Sequence, residues 1–214
     1  MHGHPSTLPA TPELMALHIA AVARGAPGKF IIGDMPFLSF RKGLGPGMDC
    51  VAAFMRAGAQ AVKLEGIEGH EDVIARIVRS DIPVMGHLGL TPQSVHKLGG
   101  FLVQGVDRSS ARRILRQAKE LEKLGCFAVV LECVPAPLAK QVTRSLRIPT
   151  IGIGAGPHTD GQVLVLPDLL GLSPSHPRFV RRYLDGYGLV RKALARYDAQ
   201  VKDGSFPAAA ESYP

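Results

Sequence analysis

Five polar residues stand at places where a buried strand would carry apolar ones. Asp34 closes the run Phe30–Asp34 (FIIGD), and Lys63 and Glu65 occupy alternate positions in Ala61–Glu65 (AVKLE). His87 closes Val84–His87 (VMGH), and Glu132 closes Ala128–Glu132 (AVVLE). An ion in such a setting is costly unless it is paired or binds a metal. Asp34 and Glu65 offer hard oxygen donors, which suit Mg²⁺, an ion that takes one or two carboxylates and fills its octahedron with water or substrate. The plainer alternative is that Asp34 caps the following turn and Glu65 pairs with Lys63. Lys63 would neutralise a substrate carboxylate or a developing enolate; a structural ion pair is its alternative. His87 lies between Gly86 and Gly89, where small neighbours let a ligand approach closely. A satisfied core histidine fits the same pattern. Glu132 suits a general base at the end of a very apolar strand, or else an acid capping the next helix. Its neighbour Cys133 reads as a small buried residue and not as a nucleophile. The other histidines carry no assigned role: His18 falls in a helix, and His2, His4, His70, His96, His158 and His176 read as loop or exposed residues.

Two further apolar runs, Thr150–Gly154 and Gln162–Leu166, bring the expected strands to six. The segments between them have helical spacing. In Ser110–Gly125, Ile114, Leu115, Ala118 and Leu121 share one face, and Gly125 stops the helix. Thr11-Pro12-Glu13 is a helix start, with a capping side chain, proline in the first turn and an acid at the positive end of the dipole. Phe179–Lys202 predicts one or two helices, and the tail from Gly204 reads as frayed. Alternating strands and helices define an α/β protein with a parallel sheet, in which ligands bind at the carboxyl ends of the strands. That places Asp34, Lys63, Glu65, His87 and Glu132 around one pocket. A doubly wound open sheet and a (βα)₈ barrel both fit the pattern. The run Gly152-Ile153-Gly154-Ala155-Gly156 is not a dinucleotide fingerprint, because its third glycine comes one residue early. It reads as a side-chain-free wall of the pocket. The glycine-rich Arg41–Met48, after the Asp34 strand, is expected to alter a loop over that pocket.

The chain has 214 residues without a low-complexity linker, which predicts a single domain over 1–214. No apolar stretch reaches the roughly 20 residues of a membrane span. The first residues lack the basic and apolar regions of a signal peptide. Three cysteines, an odd and sparse set, fit free thiols in a reducing compartment, so the expected location is cytoplasmic. The net charge of +7 is spread over the chain, and its densest patches, Arg108–Lys123 and Arg178–Arg196, read as solvated helix faces without an aromatic-interleaved stripe. This argues against nucleic-acid binding and for a mild attraction of anionic substrates.

Longer motifs surround these residues. Gly33-Asp34-Met35-Pro36-Phe37, Met55-Arg56-Ala57-Gly58-Ala59, Val62-Lys63-Leu64-Glu65-Gly66, Gly86-His87-Leu88-Gly89-Leu90-Thr91-Pro92-Gln93 and Leu131-Glu132-Cys133-Val134-Pro135 occur in this order. Ser6-Thr7-Leu8-Pro9 and Arg24-Gly25-Ala26-Pro27 precede them, and Gly152–Gly156 with Thr159-Asp160-Gly161-Gln162 follows. In these motifs the chain resembles the ketopantoate hydroxymethyltransferase family. The resemblance implies a TIM-type (βα)₈ barrel. It also implies a Mg²⁺-dependent, class II aldolase-like transfer of a one-carbon unit from 5,10-methylenetetrahydrofolate to 3-methyl-2-oxobutanoate, in pantothenate biosynthesis. Matched position by position, it implies Asp34 and Glu65 as metal ligands, Asp34, Lys63 and His87 as substrate contacts, and Glu132 as the base. It further implies a homo-oligomer, a decamer in the family. The resembled family carries two strand–helix units ahead of the point where this sequence begins. The second of them ends in a Val-Gly-Asp-Ser motif whose aspartate binds metal and whose serine holds the substrate carboxylate. Six of the eight units are therefore expected here. A truncated, non-catalytic member acting in assembly or binding is the alternative function, and a related metal-dependent lyase is a third.

Overall fold

Thr11 starts the first helix as its side chain predicts. Its hydroxyl accepts from the Leu14 amide at 3.2 Å, and α1 runs from Pro12 to Gly25. The structure is a computed structural model that describes residues 3–214. Its contacts divide into two compact units, one up to Val163 and one from Leu164 to Pro214.

The first unit alternates strands and helices. After α1 come β1 (Ile32–Asp34), α2 (Leu44–Arg56), β2 (Ala61–Glu65), α3 (Glu71–Val78) and β3 (Val84–Gly89). They are followed by α4 (Val95–Leu98), α5 (Arg108–Lys123), β4 (Ala128–Glu132), α6 (Ala136–Ser145), β5 (Thr150–Ile153) and β6 (Gly161–Gln162). The strands form one sheet in the order β1-β2-β3-β4-β5-β6, and every neighbouring pair is parallel. A doubly wound sheet must reverse its strand order at a switch point. This sheet never reverses, so its winding is that of the TIM barrel, and the open-sheet alternative falls.

Alternation along the strands separates two faces. Val62, Leu64, Val84, Leu88, Val129 and Leu131 face the helices and join Phe54, Ile74, Ile77, Leu121 and Leu138 in the main core. The opposite face begins with a small apolar layer of Met85, Ala128, Val130 and Ile153, with Ile32 and Ile151 against it. Two strand glycines make room for the helices. A Cβ on Gly86 would lie 2.6 Å from Leu121 Cδ1, and one on Gly33 would lie 2.6 Å from Phe54 Cδ2. Asp107 caps α5 by accepting from the Ser109 and Ser110 amides at 2.9 and 3.0 Å, and Ile114, Ala118 and Leu121 form its buried face.

Three expectations about local structure change. The strand expected over Gln162–Leu166 ends at Gln162, because Leu166-Pro167 opens a helical turn, α7 (Leu166–Leu169). The stretch Arg41–Met48 is largely not a loop, since Leu44 begins α2 and Gly47 is buried in it with its α-carbon near Val73. Gly152 and Gly156 do not wall a pocket. Their missing side chains make room for protein: Thr159 Oγ1 would lie 2.5 Å from a Cβ on Gly152, and Ala136 blocks one on Gly156.

In the second unit, α7 is followed by α8 (Gly186–Asp203), capped by Asp185, which accepts from the Gly188 amide at 3.1 Å. The helix expected from Phe179 therefore starts seven residues later. Backbone bonds from Tyr183 to Leu169 (2.8 Å) and from Gly186 to Leu170 (3.0 Å) hold the intervening turn. Beyond Gly204 the tail is not featureless, for Ala209–Glu211 forms a 3₁₀ turn and the Phe206 ring packs edge-on to Tyr197 at 5.4 Å.

Truncating the buried side chain in Leu121→Ala should cost about 2–5 kcal/mol, and Gly86→Ala about 1–3 kcal/mol by overpacking. Because the two groups meet, the double variant should lose clearly less than the sum. Urea unfolding of the three variants measures this; additive losses would show that Gly86 does not face α5.

Candidate active site

The period of two that buries Val62 and Leu64 against the helices turns Lys63 and Glu65 to the other face. The same alternation delivers Asp34 above Ile32, His87 above Met85, and Glu132 above Ala128 and Val130. The inner face therefore changes from apolar to ionisable toward the carboxyl ends of β1–β4. Register brings the groups level: Asp34 pairs with Lys63, Glu65 with His87, and Gly89 with Glu132.

Contacts run across the four strands. Lys63 Nζ lies 2.6 Å from Asp34 Oδ1 and 3.2 Å from His87 Nδ1. His87 Nε2 lies 3.2 Å from Glu132 Oε2. Glu65 accepts from the Gln93 amide at 2.9 Å, and Gln93 Nε2 donates to the Met35 carbonyl at 2.8 Å. All five residues expected from the sequence thus share one face and one electrostatic neighbourhood. Gln93 and Arg41 were not foreseen as part of it. Arg41 Nη2 donates to the Glu65 carbonyl at 3.1 Å and braces the end of β2 from outside. Pro92 in the first position of a 3₁₀ turn is the signal that an amide at Gln93 is free to point away.

Burial sets the protonation states. Glu65 is 3 % exposed, and burial pushes its carboxyl up to about 7 against the opposing pull of Lys63 and of the Gln93 amide. His87 is 2 % exposed, and burial together with the Lys63 charge pushes its imidazole down, although Glu132 pulls the other way. A neutral ring facing an ammonium must accept at Nδ1, so its proton resides on Nε2, toward Glu132. That approach is poorly aligned, and His87 Nε2 is a buried atom without a well-formed hydrogen bond, whereas Asp34 Oδ1 is held by its ion pair with Lys63. An unfinished polar atom is rare in a native core, and beside a cluster of ionisable groups it marks a functional site. Cys133 follows Glu132 with φ +47°, and burial raises its thiol to about 11, so it is no nucleophile at neutral pH. Gly89, at φ +93°, leaves no room for a Cβ against the Glu132 carbonyl and lets β3 and β4 close together at the site.

His70 lies in the turn before α3, as a loop residue should, but it is not exposed. It is fully buried beside Phe40, with ring centroids 4.9 Å apart, and its Nδ1 meets the Glu68 carbonyl at 3.2 Å. Among the described residues no three His, Cys, Asp or Glu side chains form a metal cluster, and no helix is long and apolar enough to cross a membrane. Cys50, Cys126 and Cys133 are free and buried.

Residues 1–209 match the family model described as ketopantoate hydroxymethyltransferase. The chain belongs to this family. The 3-methyl-2-oxobutanoate hydroxymethyltransferase of Coxiella burnetii (strain Dugway 5J108-111) is 57 % identical over 209 residues, covering 97 % of this chain and 79 % of that protein. The enzyme of the same name from Bdellovibrio bacteriovorus is 53 % identical over 214 residues, covering 100 % of this chain and 81 % of that protein. Among solved structures, 2,3-dimethylmalate lyase, a PEP mutase/isocitrate lyase superfamily member, superposes with a TM-score of 0.55 at 15 % identity, covering 100 % of this chain and 75 % of its own. That likeness concerns the fold and agrees with the barrel winding.

The Glu65 shift has a signed consequence. Its folded value of about 7 lies above the ordinary 4.5, so the folded protein holds a proton that the unfolded chain releases. Stability from this group is complete below about pH 4.5 and is lost as pH rises through 7, by about 3 kcal/mol. In chelator-treated protein, Glu65→Gln should remove that part of the pH dependence. Denaturant melts at pH 4.5, 6 and 8 check it; parallel curves for the two proteins would contradict the shift.

Proposed function

We propose that this chain transfers a hydroxymethyl group from 5,10-methylenetetrahydrofolate to 3-methyl-2-oxobutanoate, forming 2-dehydropantoate for pantothenate biosynthesis. The observation that carries the proposal is the continuous chain of contacts Asp34–Lys63–His87–Glu132 at the strand tips, with Glu65 buried beside it. Family membership supplies the substrates, and the site supplies groups that fit them.

Glu132 is the base that takes the C3 proton of the oxoacid. His87 donates from Nε2 toward its carboxylate and holds it in place. Lys63, the cation among three carboxylates, offsets the negative charge that moves onto the substrate oxygen as the proton leaves. The resulting carbon nucleophile attacks the methylene carbon of the folate derivative, whose bond to N10 has opened; water then displaces N5 from that carbon, which gives the hydroxymethyl group and releases tetrahydrofolate. The two hard carboxylates Asp34 and Glu65 on neighbouring strands fit Mg²⁺, which draws its other ligands from water and substrate. Asp34 and Glu65 would hold it, and a nearby dication would keep Glu65 ionised despite its burial. When bound, the ion polarises the keto group and acidifies the neighbouring proton. Asp34 also faces the substrate through its contact with Lys63. A cytoplasmic location, supported by the three free thiols, and a homo-oligomeric state, decameric in the family, belong to the same proposal.

Proton abstraction can be followed without folate. With the oxoacid and Mg²⁺ in deuterated water, the C3 proton signal should disappear by NMR, and Glu132→Gln should slow this by roughly 10²–10⁴-fold. Equal rates for the two proteins would refute Glu132 as the base. Absence of exchange in the parent chain, with oligomerisation intact, would favour an assembly or binding role instead.

A further inference from the structure

A second concavity lies beside the strand tips, on the helix side of the sheet. Its wall includes Gly66 and Gly89, the first residue after Glu65 and the second after His87, so it shares a rim with the active site. The cleft measures about 140 Å³. A complete small-molecule site takes roughly 300 Å³ or more, so this one holds a portion of a ligand. Its polar lining is cationic. Arg41, Lys97 and Arg113 contribute three positive charges, and Glu68 contributes one negative charge. Gln104 and Gln117 add amides; Gln117 Nε2 already donates to Glu68 Oε1 at 2.8 Å. Arg41 spends its hydrogen bonds on the backbone carbonyls of Glu65 and Glu68 (3.1 and 3.5 Å), which leaves its charge unneutralised by any bonded carboxylate. Lys97 and Arg113 have no ion-pair partner among the described residues. Between the lining residues Leu98 and Gln104, the side chains of Phe101, Leu102 and Val103 are 60, 56 and 55 % exposed, an apolar surface next to the cationic one.

Nothing in the proton-abstraction chemistry uses these groups. A cleft with excess positive charge and forked donors suits carboxylates. Its size and charge suit a short acidic tail. We infer that this cleft receives the glutamate carboxylates of the folate cosubstrate, with Arg113 and Lys97 as the principal contacts. The inference rests on the function proposed above for the identity of the ligand, but not for the character of the cleft. It divides the cosubstrate between two places: the one-carbon end reaches the strand tips, and the tail is anchored behind them.

The test compares tetrahydrofolate with tetrahydropteroate, which has the same ring system and lacks the glutamate. Binding of each is titrated calorimetrically to the parent chain and to the exposed double variant Lys97→Glu/Arg113→Glu. The variant should bind tetrahydrofolate at least ~10-fold more weakly, a factor equal to about 1.4 kcal/mol. It should bind tetrahydropteroate unchanged, and its oxoacid proton exchange should stay at the parent rate. Equal loss for both ligands, loss for neither, or no folate binding by the parent would overturn the inference. Competition by inorganic phosphate with no difference between the two pterins would assign the cleft to a free anion and overturn it as well. A parent that shows no proton exchange defeats the proposed function alone, because the contrast between the two ligands still decides the cleft.

Discussion

Lys63 is the contact on which the rest of the site depends. It is one cation set among Asp34, Glu65 and Glu132, and it reaches Asp34 and His87 at 2.6 and 3.2 Å. Without it, three carboxylates would converge at a low-dielectric strand edge with nothing to offset them. With it, the groups are driven apart in character. Burial pushes Glu65, the most deeply buried acid, up to about 7 although Lys63 pulls it down, whereas burial and the Lys63 charge together hold His87 neutral with its proton toward Glu132. A set of titratable groups whose surroundings separate their protonation states is what acid–base chemistry requires.

The sheet allows this because its two faces have different tasks. The helix-facing side is packed mainly by apolar residues, and Gly33 and Gly86 bring Phe54, Ile19 and Leu121 up against the strands. That packing supplies the rigidity. The inner side carries only a thin apolar layer below the ionisable one. Gly89 and Cys133, at φ +93° and +47°, turn the chain immediately beyond the reacting groups. The carbonyl of Glu132 accepts from Leu90 at 2.8 Å, and Cys133 donates to Ile153 at 2.8 Å, so the end of β4 is tied to both neighbouring strands.

Winding and site are consistent with family membership and with each other. An ordered run of parallel strands places all carboxyl ends on one rim, and four successive strands each contribute to the cluster. The cationic cleft shares that rim but opens toward the helices. The sheet itself therefore separates the place where a proton would move from the place where an anionic tail would rest.

Much of this was legible in the residues. Charged groups closing apolar runs at alternate positions can only share one face, so Asp34, Lys63, Glu65, His87 and Glu132 were bound to meet once the strands were parallel and in order. The helix starts at Thr11 and the apolar face of α5 followed from capping and periodicity in the same way, since these are local properties of the chain. What the sequence left undetermined were the non-local matters. Glycine content suggested a loop at Arg41–Met48 and a pocket wall at Gly152–Gly156, but glycine records only that something comes close. Tertiary packing decided that the intruders are Val73, Thr159 and Ala136. His70 stands in a loop, as its surroundings suggest, but its burial was not legible because the contact with Phe40 joins parts of the chain thirty residues apart. The assignment of the high proton affinity to Glu65, the bracing by Gln93 and Arg41, and the cleft behind the strand tips likewise depend on distances between segments. Periodicity fixes the direction in which a side chain leaves its own strand; only the folded chain fixes what it meets there, because burial and charge act through space.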